Sequence, residues 1–86
     1  MKLKNIFEIE KVDDKEFMVC LDSSVFAGMI QLNETAAFIV ECLKEETSIE
    51  EIAGKMAQIY EVDVEHVTGA VERIVAQLQS INALEN

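Results

Sequence analysis

The sequence offers catalysis one histidine, His66, two cysteines, Cys20 and Cys42, and a scatter of carboxylates. The neighbours of His66, Asp63 and Glu65, supply neither a nucleophile, a second ligand nor an oxyanion donor, so His66 reads as a solvent-facing or capping side chain. The two cysteines stand twenty-two positions apart, which is neither a CxxC pair nor a zinc spacing; they read as reduced, packed thiols. The acidic pairs Asp13-Asp14, Glu45-Glu46 and Glu50-Glu51 fall where turns and helix starts are expected, and solvation and the helix dipole account for them there. Gly28, Gly54 and Gly69 are too widely spaced to cradle a phosphate. No catalytic group, metal or cofactor is expected.

The elements that would position any other function must come from a chain of 86 residues, one domain's worth. Seven Lys and Arg against seventeen Asp and Glu leave a net charge of −10. That field has the wrong sign for nucleic acid and for an anionic membrane surface. Half the residues are hydrophobic, which excludes a disordered acidic tail. Uninterrupted apolar runs such as Val25-Phe26-Ala27 are too short for a membrane span or a signal-peptide core, so a cytoplasmic protein is expected.

Alternation predicts strands over about 6–12, 16–22 and 25–32. Phe7 and Ile9 share one face of the first, and Phe17, Val19 and Leu21 share one face of the second, across a polar turn at Asp13-Asp14-Lys15. The third is β-prone, with Gly28 as a bulge or bend. Helices follow over about 34–44, 49–60 and 64–82, with Asn33, Ser48 and Asp63 as N-caps and Ser48 with Glu51 as a capping box. The expected architecture is α+β, a three-stranded antiparallel sheet followed by three helices, in a single domain spanning 1–86.

Two features ask for more than a core. Ser23 to Leu32 holds ten consecutive uncharged positions with apolar side chains on both parities. In a simple meander this segment is an edge strand without the Lys, Pro or charge that usually guards an edge. It is either covered by the third helix, an aggregation liability, or a rail for an extended peptide. The apolar arc of the third helix, from Ala70 through Ile81, Ile74, Val67, Leu78 and Val71 to Val64 and Val75, spans about 140°, wider than the ~100° that facing one core requires. Part of it is free to line a groove, unless the helix simply touches two others.

The residues Leu32-Asn33-Glu34-Thr35-Ala36-Ala37, then Phe38-Ile39-Val40-Glu41-Cys42-Leu43, Ser48-Ile49-Glu50-Glu51-Ile52 and Tyr60-Glu61-Val62-Asp63 resemble the coenzyme PQQ synthesis protein D (PqqD) family and its relatives, the RiPP recognition elements. The resemblance covers roughly Met29 to Leu84, and the N-terminal hairpin matches in pattern only. It implies a winged-helix-like fold and a peptide chaperone without enzymatic activity. Such a chaperone binds the leader of a ribosomally made precursor peptide as an added strand and presents it to a modifying enzyme, often a radical SAM protein. Carried over by position, the rail is Met29, Ile30, Gln31 and Leu32, and the facing wall is drawn from Val67, Ala70, Val71 and Ile74. The stretch Asp22 to Gly28 is longer and more apolar than the turn typical of the family. That leaves the start of the third strand open and allows either a monomer or a strand-exchanged homodimer.

A winged-helix shape also suggests a DNA-binding regulator, but from Lys44 onward three basic residues face nine acidic ones. The remaining alternative is a small acidic winged-helix-like protein-interaction module or regulator with no leader-peptide groove.

Overall fold

A computed structural model describes residues 1–85. A short strand β1 (Lys2–Leu3) precedes the hairpin β2 (Phe7–Val12) and β3 (Lys15–Cys20), followed by β4 (Met29–Leu32), the helices α1 (Glu34–Cys42), α2 (Ile49–Tyr60) and α3 (Val64–Ser80), and a last strand β5 (Leu84–Glu85). The sheet has the order β2-β3-β4, both pairings antiparallel, so the fold is α+β with three strands ahead of three helices. β1 and β5 form a separate antiparallel pair, Lys2 opposite Glu85 and Leu3 opposite Leu84, which the sequence pattern did not foretell.

The hairpin turns on two residues, Asp13 and Asp14, with Val12 paired to Lys15; Asp13 takes the left-handed φ of 58° that a short polar side chain tolerates. A three-residue turn through Lys15 would have paired Ile9 with Val19. The tighter turn pairs Ile9 with Met18 instead. One residue of register exchanges the faces of a strand. Met18, 1% exposed, therefore faces the helices, while Phe17 and Val19 lie half-buried on the outer face beside Glu8 and Glu10.

The third strand is shorter than expected, beginning at Met29 rather than near residue 25. The Asp22 carboxylate accepts bonds from the Ser24 backbone N–H at 3.0 Å and from the Ser24 hydroxyl at 2.6 Å. Its carbonyl accepts from the backbone N–H groups of Val25 and Phe26, and Gly28 sits at φ 107°. These bonds close a turn where a strand ladder would need the same groups free.

Helix boundaries follow from caps. Asn33 accepts the Ala36 N–H at 2.7 Å and Ser48 accepts the Glu51 N–H at 3.2 Å, the latter with Glu51 reaching back to the serine hydroxyl. Asp63 stands at the N-cap of α3 but makes no side-chain capping bond; its backbone carbonyl accepts from His66 instead. The third helix stops at Ser80, short of residue 82, because Asn82 turns to φ 59° and Ala83 donates back to the Leu78 carbonyl. The core lies between the sheet and the helices, built from Phe7 and Met18, from Ile39, Val40 and Leu43 of the α1 region, from Ile52, Ala53 and Met56 of α2, and from Val67, Val71, Val75 and Leu78 of α3.

Candidate functional site

Backbone polarity within the sheet decides where another strand can join. Leu21 donates its N–H to the Ile6 carbonyl at 2.7 Å, which fixes the phase of the β2-β3 ladder. In an antiparallel pair, residues alternate between directing both backbone groups at one neighbour and directing both away. Lys15, Phe17 and Val19 therefore bond to β2, and Glu16 and Met18 to β4. Since Met18 pairs with Ile30 and Glu16 with Leu32, the backbone groups of Ile30 and Leu32 are consumed inside the sheet. Those of Met29 and Gln31 point outward from the free edge.

The same alternation sorts the side chains. Ile30 and Leu32 share the helix-facing side with Met18, whereas Met29, 60% exposed, and Gln31 lie on the outer face with Phe17 and Val19. Beside Ile30 and Leu32 runs a cleft of about 170 Å³ whose far wall is Ile74, Gln77, Leu78 and Ile81 of the α3 region and whose end is closed by Asn33 and Ala36 at the start of α1. No lining residue carries a charge.

Ile30, Gln31 and Leu32 are thus brought together with Ile74 in one cleft, and Met29 lies beside them on β4 outside its lining. Val67 and Val71 are in the core, and Ala70 is half-buried outside the cleft lining, one to three turns back along α3. The wall lies further along the helix, and Gln77, Leu78 and Ile81 were missed as its members. Leu78 and Ile81 already belonged to the apolar stripe; what sequence periodicity lacks is the level along the helix at which β4 approaches it.

The opposite edge of the sheet, β2, differs in chemistry. The hollow beside it is lined by Lys4, Asn5, Glu8 and Lys44 as well as Leu3, Phe7 and Ile9, and its Phe7 N–H is already donated to the Lys4 carbonyl. Charge guards β2 and leaves β4 open.

The histidine and the cysteines stand apart from the β4-α3 cleft. His66 is exposed, and among the described residues no three His, Cys, Asp or Glu side chains are placed to hold a metal ion. Cys20 and Cys42 are free and half-buried; burial pushes the Cys42 thiol above its ordinary value, the opposite of what a reactive thiolate needs. Among the described residues no helix is long and apolar enough to cross a membrane.

The model of the family coenzyme PQQ synthesis protein D (PqqD) matches residues 18–84. No curated protein sequence matches. A solved structure of TbiB1 in complex with the TbiA(beta) leader peptide is similar in fold, with 22% sequence identity, a TM-score of 0.80, and coverage of 100% of this chain and 96% of that one.

Proposed function

The chain belongs to the PqqD family, and from that premise we propose that it is a peptide chaperone, without catalysis of its own, that binds the leader of a ribosomally made precursor peptide as a fourth strand on β4 and presents it to a modifying enzyme. One observation carries the reading: β4 turns the backbone groups of Met29 and Gln31 outward, and its residues Ile30, Gln31 and Leu32 line an uncharged cleft walled by Ile74, Leu78 and Ile81. Main-chain bonds along such an edge supply affinity, and alternate side chains entering a cleft supply selectivity. The family relationship and the leader peptide held by the similar TbiB1 fold support the ligand class. A radical SAM protein is the modifying enzyme that the family relationship favours. No nucleic acid partner is proposed, because the net charge of −10 repels phosphate.

In the deciding experiment, a candidate precursor peptide chosen from the genes flanking this one, cut to its leader, is titrated into isotope-labelled protein. The Met29 and Gln31 amides should become protected from hydrogen exchange while those of Ile30 and Leu32, already bonded within the sheet, change little. Protection confined to β2, or none on either edge, would overturn the reading.

A further inference from the structure

Among the described residues, four of the eight exposed large hydrophobic side chains fall within six residues at the corner joining α2 to α3: Ile59, Tyr60, Val62 and Val64, with Ile59 61% exposed. Scattered exposed apolar residues need no explanation; four gathered at one corner ask what covers them. The ridge stands apart from the helical wall of the cleft, since Val64 precedes Ile74 by about 15 Å of helix axis at 1.5 Å per residue. It is also held in shape. Tyr60 packs edge-on against Phe38 with ring centroids 6.0 Å apart, and Glu61 ends α2 in the left-handed conformation.

Acidic hollows flank this apolar ridge. One is lined by Glu16, Glu34 and Glu41 around Phe38 and Tyr60, the other by Glu61, Asp63 and His66 around Ala57 and Val62. Neither is lined by a Lys or Arg. Glu41 has an ion-pair partner, Lys44 at 3.1 Å, and Lys55 stands one turn before Ile59 on α2; the other carboxylates of the hollows make no salt bridge with a described residue. A second copy of this chain is a poor cover, because it would bring the same carboxylates into a self-complementary contact and oppose like charges.

We infer that the α2-α3 corner is the docking surface for the modifying enzyme, and that the enzyme meets it with an apolar hollow bordered by Lys or Arg side chains. The apolar ridge supplies the desolvated centre, with Tyr60 as a preorganised anchor, and the acidic hollows supply orientation and partner choice. The ridge and the helical wall of the cleft then lie at different levels of α3, and the hollow of Glu16 and Glu34 meets the end of β4 at Leu32, so an enzyme seated on the ridge reaches the end of the bound leader without displacing it. This inference rests on the chaperone reading, and its test separates the two.

The probe is a purified candidate modifying enzyme chosen from the genes flanking this one, titrated against the full chain loaded with leader peptide. Ile59→Glu and the double variant Glu61→Lys/Asp63→Lys should each weaken enzyme binding by about tenfold or more, as loss of an interface anchor does, and alter leader affinity no more than the charge-matched control does. The control Glu8→Lys/Glu10→Lys makes the same change in net charge on the outer face of the sheet and should have a much smaller effect. Unaltered enzyme affinity in both corner variants overturns the inference, as does an equal loss in the control, or an enzyme that does not bind the wild-type chain. Conversion of a dimer to a monomer by Ile59→Glu would show the corner covered by a second copy and overturn it as well. A wild-type chain that fails to bind leader defeats the chaperone reading, whatever the corner variants do.

Discussion

Val71 and Ile81 belong to the same apolar stripe, yet Val71 is fully buried in the core while Ile81, the C-cap of α3, is half-buried and lines the cleft. Val71→Ala removes two buried methyl groups and should cost about 2 kcal/mol of stability. A protein so weakened but still folded should bind leader as before. Ile81→Ser should weigh the other way, costing less stability than the same change at a fully buried position and losing leader affinity, because a partly exposed position keeps its hydroxyl hydrated while the cleft loses part of its apolar wall. Thermal melts and peptide titrations on both variants check the pair; equal loss of affinity in both would mean that the cleft cannot be separated from the core. Sequence periodicity could not make this distinction. It gives each side chain an angle around the helix, which put Ile74 at an edge of the arc. It is silent on position along the axis, where Val67 and Val71 part company with Leu78 and Ile81.

At the level of elements, the unguarded third strand and its edge position were legible, because a run without charge in a highly charged chain is conspicuous and a meander leaves its last strand outermost. Two things were hidden. The hairpin register depended on whether Lys15 belongs to the turn or the strand, and that single residue decided whether Phe17 or Met18 enters the core. The pairing of β1 with β5 joins the two ends of the chain through two-residue strands too short to carry an alternation signal. The observed register sharpens the test of strand addition. Gln31→Pro removes an outward donor without breaking a β3-β4 bond, as edge positions tolerate, and should weaken leader binding in a folded protein; Ile30→Pro removes an internal ladder bond and should destabilise the sheet itself. Circular dichroism beside titration reads both effects, and full leader affinity in Gln31→Pro would take the main chain of β4 out of recognition. The turn preceding β4 has its own signature. Hydrogen bonds from the Ser24 hydroxyl and backbone N–H hold the Asp22 carboxyl below its ordinary value of 3.8. A group depressed in this way stabilises the turn above that value and ceases to as pH falls through the folded pKa. The Ser24 amide resonance should therefore move on acidification with a midpoint below 3.8; a midpoint at or above it would mean that the turn is not held by these bonds.

The whole molecule carries seventeen carboxylate side chains against seven basic ones, yet none of those charges lines the β4-α3 cleft. Charges remote from a contact act through the field they project rather than through a bond they make. A leader bearing Lys or Arg should be drawn in by that field, and the gain should appear in the association rate, whereas the dissociation rate reports the apolar side chains seated between β4 and α3. Raising the salt from 0.1 M to 1 M shortens the Debye length from about 10 Å to about 3 Å, which screens the field without weakening apolar burial. Stopped-flow measurements across that range should therefore show association of a basic leader slowing several-fold while its dissociation rate stays nearly constant. An acidic leader should show the opposite trend in association, since screening relieves its repulsion. If salt instead speeds dissociation of the basic leader and leaves association flat, its cations are in direct contact with carboxylates at the rim. The cleft described here would then be only part of the recognition surface.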